Sequence, residues 1–209
     1  AEERRRIEAD LRTALVEHEF TIAYQPIDEV HKGMVAGFEA LLRWNHPLQG
    51  EILPSRFVPI AEEAGLIRTI GDWVLRTACA EAARWPEDVY LAVNLSAVQV
   101  EAESLISSAI SALAYSGLAP NRLEFEITES VYLRQGASTA KTLDALKSLG
   151  ISLALDDFGT GYSSLGYLQR TDFSKIKIDR SFVKGGADGC QDSLPIIQAI
   201  VTTAGGLGM

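Results

Sequence analysis

The segment LALDDFGTGYSSL, residues 153–165, ends an apolar run on two adjacent aspartates and continues into a glycine-rich stretch. The apolar run predicts a buried strand with Asp156 and Asp157 at its carboxyl end. Carboxylates in such a position persist when they are paired or bound to a metal. Gly159 and Gly161 predict a tight loop after the strand, since the segment lacks both the GK[ST] of a P-loop and the third glycine of a dinucleotide fingerprint.

Outward from this segment, predicted strands and helices alternate along the chain. Strands are predicted at residues 20–27, 34–44, 89–96, 122–130, 151–158 and 175–179. Helices are predicted at residues 2–18, 54–65, 67–85, 104–115, 137–149 and 194–204. From the second strand onward, this alternation indicates crossover connections and a mostly parallel sheet.

Polar residues lie at or near the ends of these strands: Gln25, Glu39, Asn94, Glu126, Asp156 and Lys177. In a parallel barrel all such ends meet at one rim, whereas an open doubly wound sheet gathers its ligand groups at one switch point. Polar ends on six strands therefore favour an α/β fold of the TIM type, a (β/α)8 barrel. Because six strands are predicted where a barrel has eight, we expect the C-terminal strands to be missing from this chain.

Composition narrows the class of protein. The 209 residues suit one large domain, and we expect it to cover residues 19–209, with residues 1–18 forming a charged N-terminal helix that links to an upstream domain. The net charge of −9 argues against a nonspecific nucleic-acid binder.

The chain has no apolar run of membrane-spanning length and no signal-peptide core, so we expect a cytoplasmic location with no membrane contact in this segment. Cys79 and Cys190 show no metal-ligand spacing and suit free thiols in a reducing compartment.

Strand alternation predicts which side chains share a face. In the second strand Glu39 and Arg43 share one face, and bulkier residues ending at Trp44 occupy the other. In the fourth and sixth strands the charged residues also fall on single faces: Glu124, Glu126, Lys175, Lys177 and Asp179. Any one of these carboxylates could be a solvated strand end or half of a salt bridge. Taken together, the oxygen ligands favour Mg²⁺ or Mn²⁺ over zinc: the carboxylates of Glu39, Glu126, Asp156 and Asp157 and the amide of Asn94.

Six motifs occur in one order along the chain: YQPI (24–27), FEALLRW (38–44), AVNLS (92–96), EITES (126–130), DDFGTGYSSL (156–165) and KIKIDRSFV (175–183). Together they resemble the EAL domain family, the cyclic-di-GMP phosphodiesterases of bacterial signalling. The triplet that names the family stands at residues 39–41. The resemblance implies a TIM barrel modified by an antiparallel first strand.

The resemblance also implies a two-metal site for Mg²⁺ or Mn²⁺. The first metal would be held by Glu39, Asn94, Glu126 and Asp156. Asp157 would bind the second metal, which Asp179 would support, and Asp156 would bridge the pair.

Other residues acquire roles by the same resemblance. Lys177 resembles the lysine that contacts the attacking water or the phosphate, and it would carry catalysis together with Glu39 and Asp156. Gln25 and Arg43 resemble family residues that contact the substrate, and Arg43 would bind a phosphate. Glu129 resembles the glutamate that anchors the loop after the predicted fifth strand.

The function implied is metal-dependent hydrolysis of cyclic di-GMP to linear pGpG. The alternative is a catalytically weak EAL domain that acts as a cyclic-di-GMP receptor. The family carries a glutamate base on its seventh strand, and here the chain stops at GGLGM, so we expect this chain alone to hydrolyse poorly. The resemblance further implies a homodimer and an upstream sensory or GGDEF-type domain.

Overall fold

The computed structural model describes residues 2–133, 137–159, 173–187 and 193–209. The chain divides into two compact units, residues 1–123 and residues 124–209, which are described separately below. No helix in the described ranges is both long enough and apolar enough to cross a membrane. The predicted loop at residues 160–165 and Cys190 lie outside the described residues.

The strands of the first unit surround one long central strand. They are β1 (Phe20–Glu29), β2 (Met34–His46), β3 (Gly50–Ile52) and β4 (Tyr90–Asn94). β1 pairs antiparallel with β2, which confirms the antiparallel first strand, and β4 pairs parallel with β2. The three-residue β3, which pairs antiparallel with the end of β2, lies in a stretch that the sequence predicted as loop. β3 could not be predicted from the hydrophobic pattern, because it is short and is flanked by glycine and proline residues.

The helices of the first unit are α1 (Glu2–Ala14), α2 (Pro54–Glu63), α3 (Ile67–Ala82), α4 (Ala97–Val100) and α5 (Ser104–Ser116). The sequence did not predict α4, although Ser96 and Gln99 form a capping box at its start, which is a recognisable S-x-x-Q signal. α5 ends as predicted, because Gly117 takes the left-handed φ of 73° that terminates a helix.

α1 is four residues shorter than predicted, since residues 15–18 form a turn. It buries Ile7, Leu11 and Ala14 within the first unit. Arg4 pairs with Glu63 of α2, and Glu3 pairs with Arg56 of the same helix. The helix is therefore packed against its own unit, and its role as a link to an upstream domain stays a prediction.

Aromatic side chains fill the core of the first unit. Trp44 and Phe57 are fully buried, with ring centroids 5.5 Å apart, and Phe20 lies 5.8 Å from the Trp44 ring. Glu19 Oε2 accepts a hydrogen bond of 2.7 Å from the indole Nε1 of Trp44, so the buried N–H has a partner. The face of β2 that ends at Trp44 thus packs against Phe57 of α2, which leaves the Glu39 face for polar side chains.

The second unit contains three parallel strands: β5 (Leu123–Thr128), β6 (Ser152–Phe158) and β7 (Lys175–Ile178). Its helices are α6 (Glu129–Leu133), α7 (Ala137–Ser148), α8 (Arg180–Ala187) and α9 (Ser193–Gly206). The sequence predicted neither α6, whose first residues were taken as the end of a strand, nor α8, whose two glycines lower helix propensity. Parallel strands that alternate with helices confirm the α/β class.

Replacing Gly37 with alanine should destabilise the first unit. Gly37 and Tyr90 are partners in the β2–β4 pairing, and a Cβ at Gly37 would lie 2.7 Å from the Tyr90 carbonyl oxygen. Such overpacking costs about 1–3 kcal/mol, so we expect Tm to fall by about 2–4 °C for each of those kcal/mol. Gly205→Ala is the control, because nothing lies within 4 Å of a Cβ there. Equal Tm values for Gly37→Ala and Gly205→Ala would contradict this packing.

Candidate active site

The first unit contributes a polar group on one face of its strands, named here the β2 group: Gln25, Glu39, Arg43 and Asn94. Gln25 is the cross-strand partner of Glu39 in the β1–β2 pairing, so the two side chains share a face. Glu39 pairs with Ala92 of β4, and Asn94, two residues further along, returns to the same face. The Asn94 amide Nδ2 donates a hydrogen bond of 2.7 Å to Glu39 Oε1. Glu39 and Asn94 are therefore brought together as the sequence predicted.

Arg43 lies four residues beyond Glu39 on the same strand, nearer its carboxyl end. Its Nε forms an ion pair of 3.3 Å with Glu51 Oε1 on β3, and its Nη1 donates to the Leu42 carbonyl at 3.1 Å. Sequence analysis assigned no role to Glu51, since it did not predict β3.

The second unit carries two tiers of ion pairs on one face of its three strands. Lys175 Nζ donates to Glu124 Oε1 at 2.9 Å. Lys177 Nζ donates to Glu126 Oε2 at 2.6 Å and to Asp156 Oδ2 at 3.3 Å. We call these five residues the β5–β7 charge cluster. Glu124 and Glu126 are only 5% and 1% exposed, so their charges need these partners.

Small residues on the middle strand make room for these pairs. Ser152 and Ala154 of β6 are the partners of Glu124 and Glu126, and Ala154 is also the partner of Lys175. The two lysines therefore reach across β6 to carboxylates on β5 without a bulky side chain between them. The alternation predicted for β5 and β7 is confirmed, but the cross-strand partners could not be read from it.

The backbone breaks at Asp157, as the adjacency of the two aspartates required. Asp157 has a φ of 54°, in the left-handed region that few residues other than glycine adopt. From Leu155 to Phe158 the β6 strand advances one residue more than its partner β7, which is the signature of a bulge. Asp157 is exposed and Asp156 is half-buried. Asp156 therefore lies deeper than Asp157.

Asp157 and Asp179 form a crowded carboxyl pair whose pKa values move in opposite directions. Burial, the negative charges of Asp156 and Asp179, and a hydrogen bond with Asp179 raise the pKa of Asp157, while the Lys177 ammonium opposes them. Hydrogen bonds from the Ser181 hydroxyl and backbone N–H lower the pKa of Asp179. Excess negative charge at this end of β6 and β7 is what a bound cation would relieve.

Glu129, the first residue of α6, follows β5 directly and is buried. Its Oε2 accepts a hydrogen bond of 3.1 Å from the backbone N–H of Gly159. Gly159 has a φ of 99°, and its close neighbour is the Phe182 ring. Glu129 thus holds the first residue of the predicted loop.

The donor chemistry of both groups fits a hard divalent cation. The β2 group offers a carboxylate and an amide oxygen, and the second unit offers the carboxylates of Glu126, Asp156, Asp157 and Asp179; such oxygen sets suit Mg²⁺ or Mn²⁺. The Lys177 ammonium already lies between two of these carboxylates, which shows that this position attracts positive charge. Within the described ranges, no three His, Cys, Asp or Glu side chains form a group that could hold a metal ion.

Residues 8–209 match the sequence profile described as the EAL domain. The chain belongs to the EAL domain family. The solved structure of the PaMucR phosphodiesterase in complex with c-di-GMP is 41% identical to this EAL domain, with a TM-score of 0.92, and the match covers 98% of this chain and 84% of that chain. The predicted fold class, a TIM-type barrel with an antiparallel first strand, is confirmed by this family's solved structures.

Two curated relatives of this EAL domain come from Pseudomonas aeruginosa. The bifunctional diguanylate cyclase/cyclic di-GMP phosphodiesterase MucR is 42% identical over 205 residues, which are 96% of this chain and 30% of MucR. The cyclic di-GMP phosphodiesterase NbdA is 41% identical over 202 residues, 95% of this chain and 26% of NbdA. The chain therefore spans less than a third of the length of these relatives.

Asp157→Asn should stabilise the metal-free domain at neutral pH. Asparagine tolerates the left-handed φ and removes the carboxylate charge that desolvation and the neighbouring aspartates disfavour. At pH values above that raised pKa, the charged Asp157 carboxylate of the wild-type protein is repelled by its acidic neighbours. The variant should therefore be more stable there, by less than about 1 kcal/mol because the group is exposed. As pH falls through the raised pKa toward the ordinary value of 3.8, the wild-type carboxyl is protonated and the difference should vanish.

The measurement is thermal unfolding in EDTA at several pH values. Asp144→Asn on exposed α7 is the matched control. A stability difference between wild type and Asp157→Asn that is the same at pH 7 and pH 4 would contradict the assigned cause.

Proposed function

We propose that this EAL domain hydrolyses cyclic di-GMP to linear pGpG with Mg²⁺ or Mn²⁺ as cofactor. The observation that carries the proposal is the β5–β7 charge cluster, in which Lys177 links the buried Glu126 to Asp156. A core built only for stability has little use for buried charge, because desolvation offsets the attraction within the pair. The names of MucR and NbdA, both cyclic di-GMP phosphodiesterases, support this substrate.

We propose the metal ligands that the family resemblance implies. Glu39, Asn94, Glu126 and Asp156 would hold the first metal. Asp157 would hold the second metal with support from Asp179, and Asp156 would contribute to both. When bound, a pair of divalent cations supplies a water of lowered pKa and a positive charge beside the attacking and leaving oxygens.

The chain's own residues bind and orient the substrate around that chemistry. Arg43 has a planar fork of N–H donors that suits a phosphate, and Gln25 lies on the same face of the first unit. Lys177 adds a positive charge that stabilises negative charge developing on the phosphate oxygens, or it orients the attacking water. Glu129 holds the start of the loop after β6 through Gly159.

The proposal extends to the setting of the domain. We propose a cytoplasmic domain that forms a homodimer and lies downstream of a sensory or GGDEF-type domain. The dimer is proposed from the family resemblance alone, and Tyr162 and Tyr167, near which the resemblance places the dimer contact, lie outside the described part of the chain.

In the full-length protein, Glu39→Ala should abolish turnover of cyclic di-GMP. Losing one metal-binding carboxylate removes several kcal/mol of transition-state stabilisation, which corresponds to a loss of about 100-fold or more in kcat. The measurement is the appearance of pGpG by chromatography with Mn²⁺ or Mg²⁺, and with EDTA as a blank. Glu87→Gln, an exposed site before β4, is the control. Near-normal turnover by Glu39→Ala would refute the metal assignment. If the wild-type protein binds cyclic di-GMP without turning it over, the receptor function is indicated instead.

Asp156→Asn and Asp157→Asn should differ in metal binding. The half-buried Asp156, in contact with Lys177, is proposed to touch both metals, so its amide variant should lose tight binding altogether. The exposed Asp157 is proposed to reach the second metal, so its variant should keep one metal and lose most turnover. Titration calorimetry with Mn²⁺, alongside the turnover assay, measures both effects. Equal loss of both metals in the two variants would refute this division.

A further inference from the structure

The Arg43–Glu51 ion pair is fixed by the register of the short strand β3. Trp44 is the cross-strand partner of Ile52, and both side chains are fully buried. Because side chains alternate along a strand, burying Ile52 beside Trp44 turns Glu51 toward the face that carries Arg43. Glu51 is the partner of Asn45, so Arg43 is its diagonal neighbour, within reach of a long side chain.

The turn between β2 and β3 is held by a buried histidine. The backbone N–H groups of Leu48 and Gln49 donate to His46 Nδ1 at 3.1 and 3.3 Å. Since Nδ1 accepts, Nε2 carries the proton, and it donates to Asp10 Oδ2 of α1 at 3.0 Å. His46 is 5% exposed, so these bonds are shielded from water. Glu51 therefore lies on a strand that follows directly after a turn held by the buried His46.

The guanidinium of Arg43 is consequently oriented before any substrate arrives. Glu51 approaches Nε and the Leu42 carbonyl accepts from Nη1, so two of the three guanidinium nitrogens have contacts within the first unit. Arginine has five N–H donors, so these two contacts leave donors for an anionic oxygen. Because the fork is planar, fixing Nε also fixes the direction of the remaining donors.

We infer that Glu51 is a positioning residue that presents Arg43 to a phosphate of the cyclic dinucleotide. This inference rests on the proposed function, in which Arg43 contacts the substrate. Glu51 acts in binding and not in the chemical step: it reduces the side-chain freedom that Arg43 loses when the phosphate binds. Its removal raises KM and leaves kcat unchanged.

The effect is modest, since both side chains are partly exposed to solvent. Glu51→Gln raises KM for cyclic di-GMP about two- to fivefold. The rise in KM depends on the planar guanidinium of Arg43. It therefore disappears when Glu51→Gln is made in the Arg43→Lys variant, where a point charge replaces the guanidinium. A structural role for Glu51 would instead lower stability and give the same change in both backgrounds.

The experiment is a double-mutant cycle with Glu51→Gln, Arg43→Lys and the combined variant. KM and kcat are measured with Mn²⁺, the Kd for cyclic di-GMP is measured by calorimetry in metal-free buffer, and Tm is recorded for each protein. Glu87→Gln removes the same charge at an exposed site distant in sequence from Arg43, and its KM stays at the wild-type value.

We expect KM and Kd to rise in Glu51→Gln, with kcat and Tm unchanged, and no further rise when the change is added to Arg43→Lys. The inference is overturned by an unchanged or lower KM in Glu51→Gln, by a fall in its kcat, or by equal changes of KM in both backgrounds. The proposed function stands in each of these cases. If the wild-type protein binds cyclic di-GMP without turnover, the catalytic proposal fails and the Kd comparison alone decides the role of Glu51. If it neither binds nor hydrolyses cyclic di-GMP, both proposals fail.

Discussion

The contact of the Lys177 ammonium with Glu126 and Asp156 constrains the second unit more than any other interaction described here. Glu126 is almost fully buried, and a buried carboxylate needs a cation or hydrogen-bond donors. Lys177 reaches it only because β7 lies parallel to β6 in a register that places Lys175 opposite Ala154. A bulky residue at Ala154 would separate the charges. Strand order, register and the small residues of β6 are thus all tied to one buried charge.

The two tiers of the β5–β7 charge cluster differ in what they can do. The Glu124–Lys175 tier lies near the start of the strands and joins one carboxylate to one ammonium. The Glu126–Lys177–Asp156 tier has two carboxylates for one ammonium, and Asp157 and Asp179 add further negative charge beside it. Negative charge therefore accumulates toward the carboxyl ends of the strands, where enzymes of this architecture bind their ligands. The acidic net charge of the chain does not oppose an anionic substrate if cations are bound there.

Sequence analysis succeeded where the signal was local. The two-residue alternation placed Glu39 with Arg43 and Lys175 with Lys177, because charged and bulky residues separate cleanly onto opposite faces. The break at Asp157 could also be predicted, since adjacent carboxylates cannot share a face of a regular strand.

Features that depend on tertiary packing could not be predicted. β3 exists because Ile52 is buried beside Trp44, and nothing in three residues indicates that contact. The Arg43–Glu51 pair was missed with it. α8 contains two glycines, and its helical state depends on packing that propensity does not measure. The two carboxylates that share Lys177 are 51 and 21 residues away in sequence, a separation that no local pattern reports.

The left-handed backbone at Asp157 bears on how this domain can evolve. Asparagine, histidine and glycine are the residues that share aspartate's tolerance of this conformation or exceed it. Each of them is a single nucleotide change away from an aspartate codon. A lineage can therefore discard this carboxylate in one mutational step while keeping the bulge that shapes the end of β6. If Asp157 holds a metal as proposed, each of these single changes would remove a metal ligand and keep the backbone conformation at the end of β6.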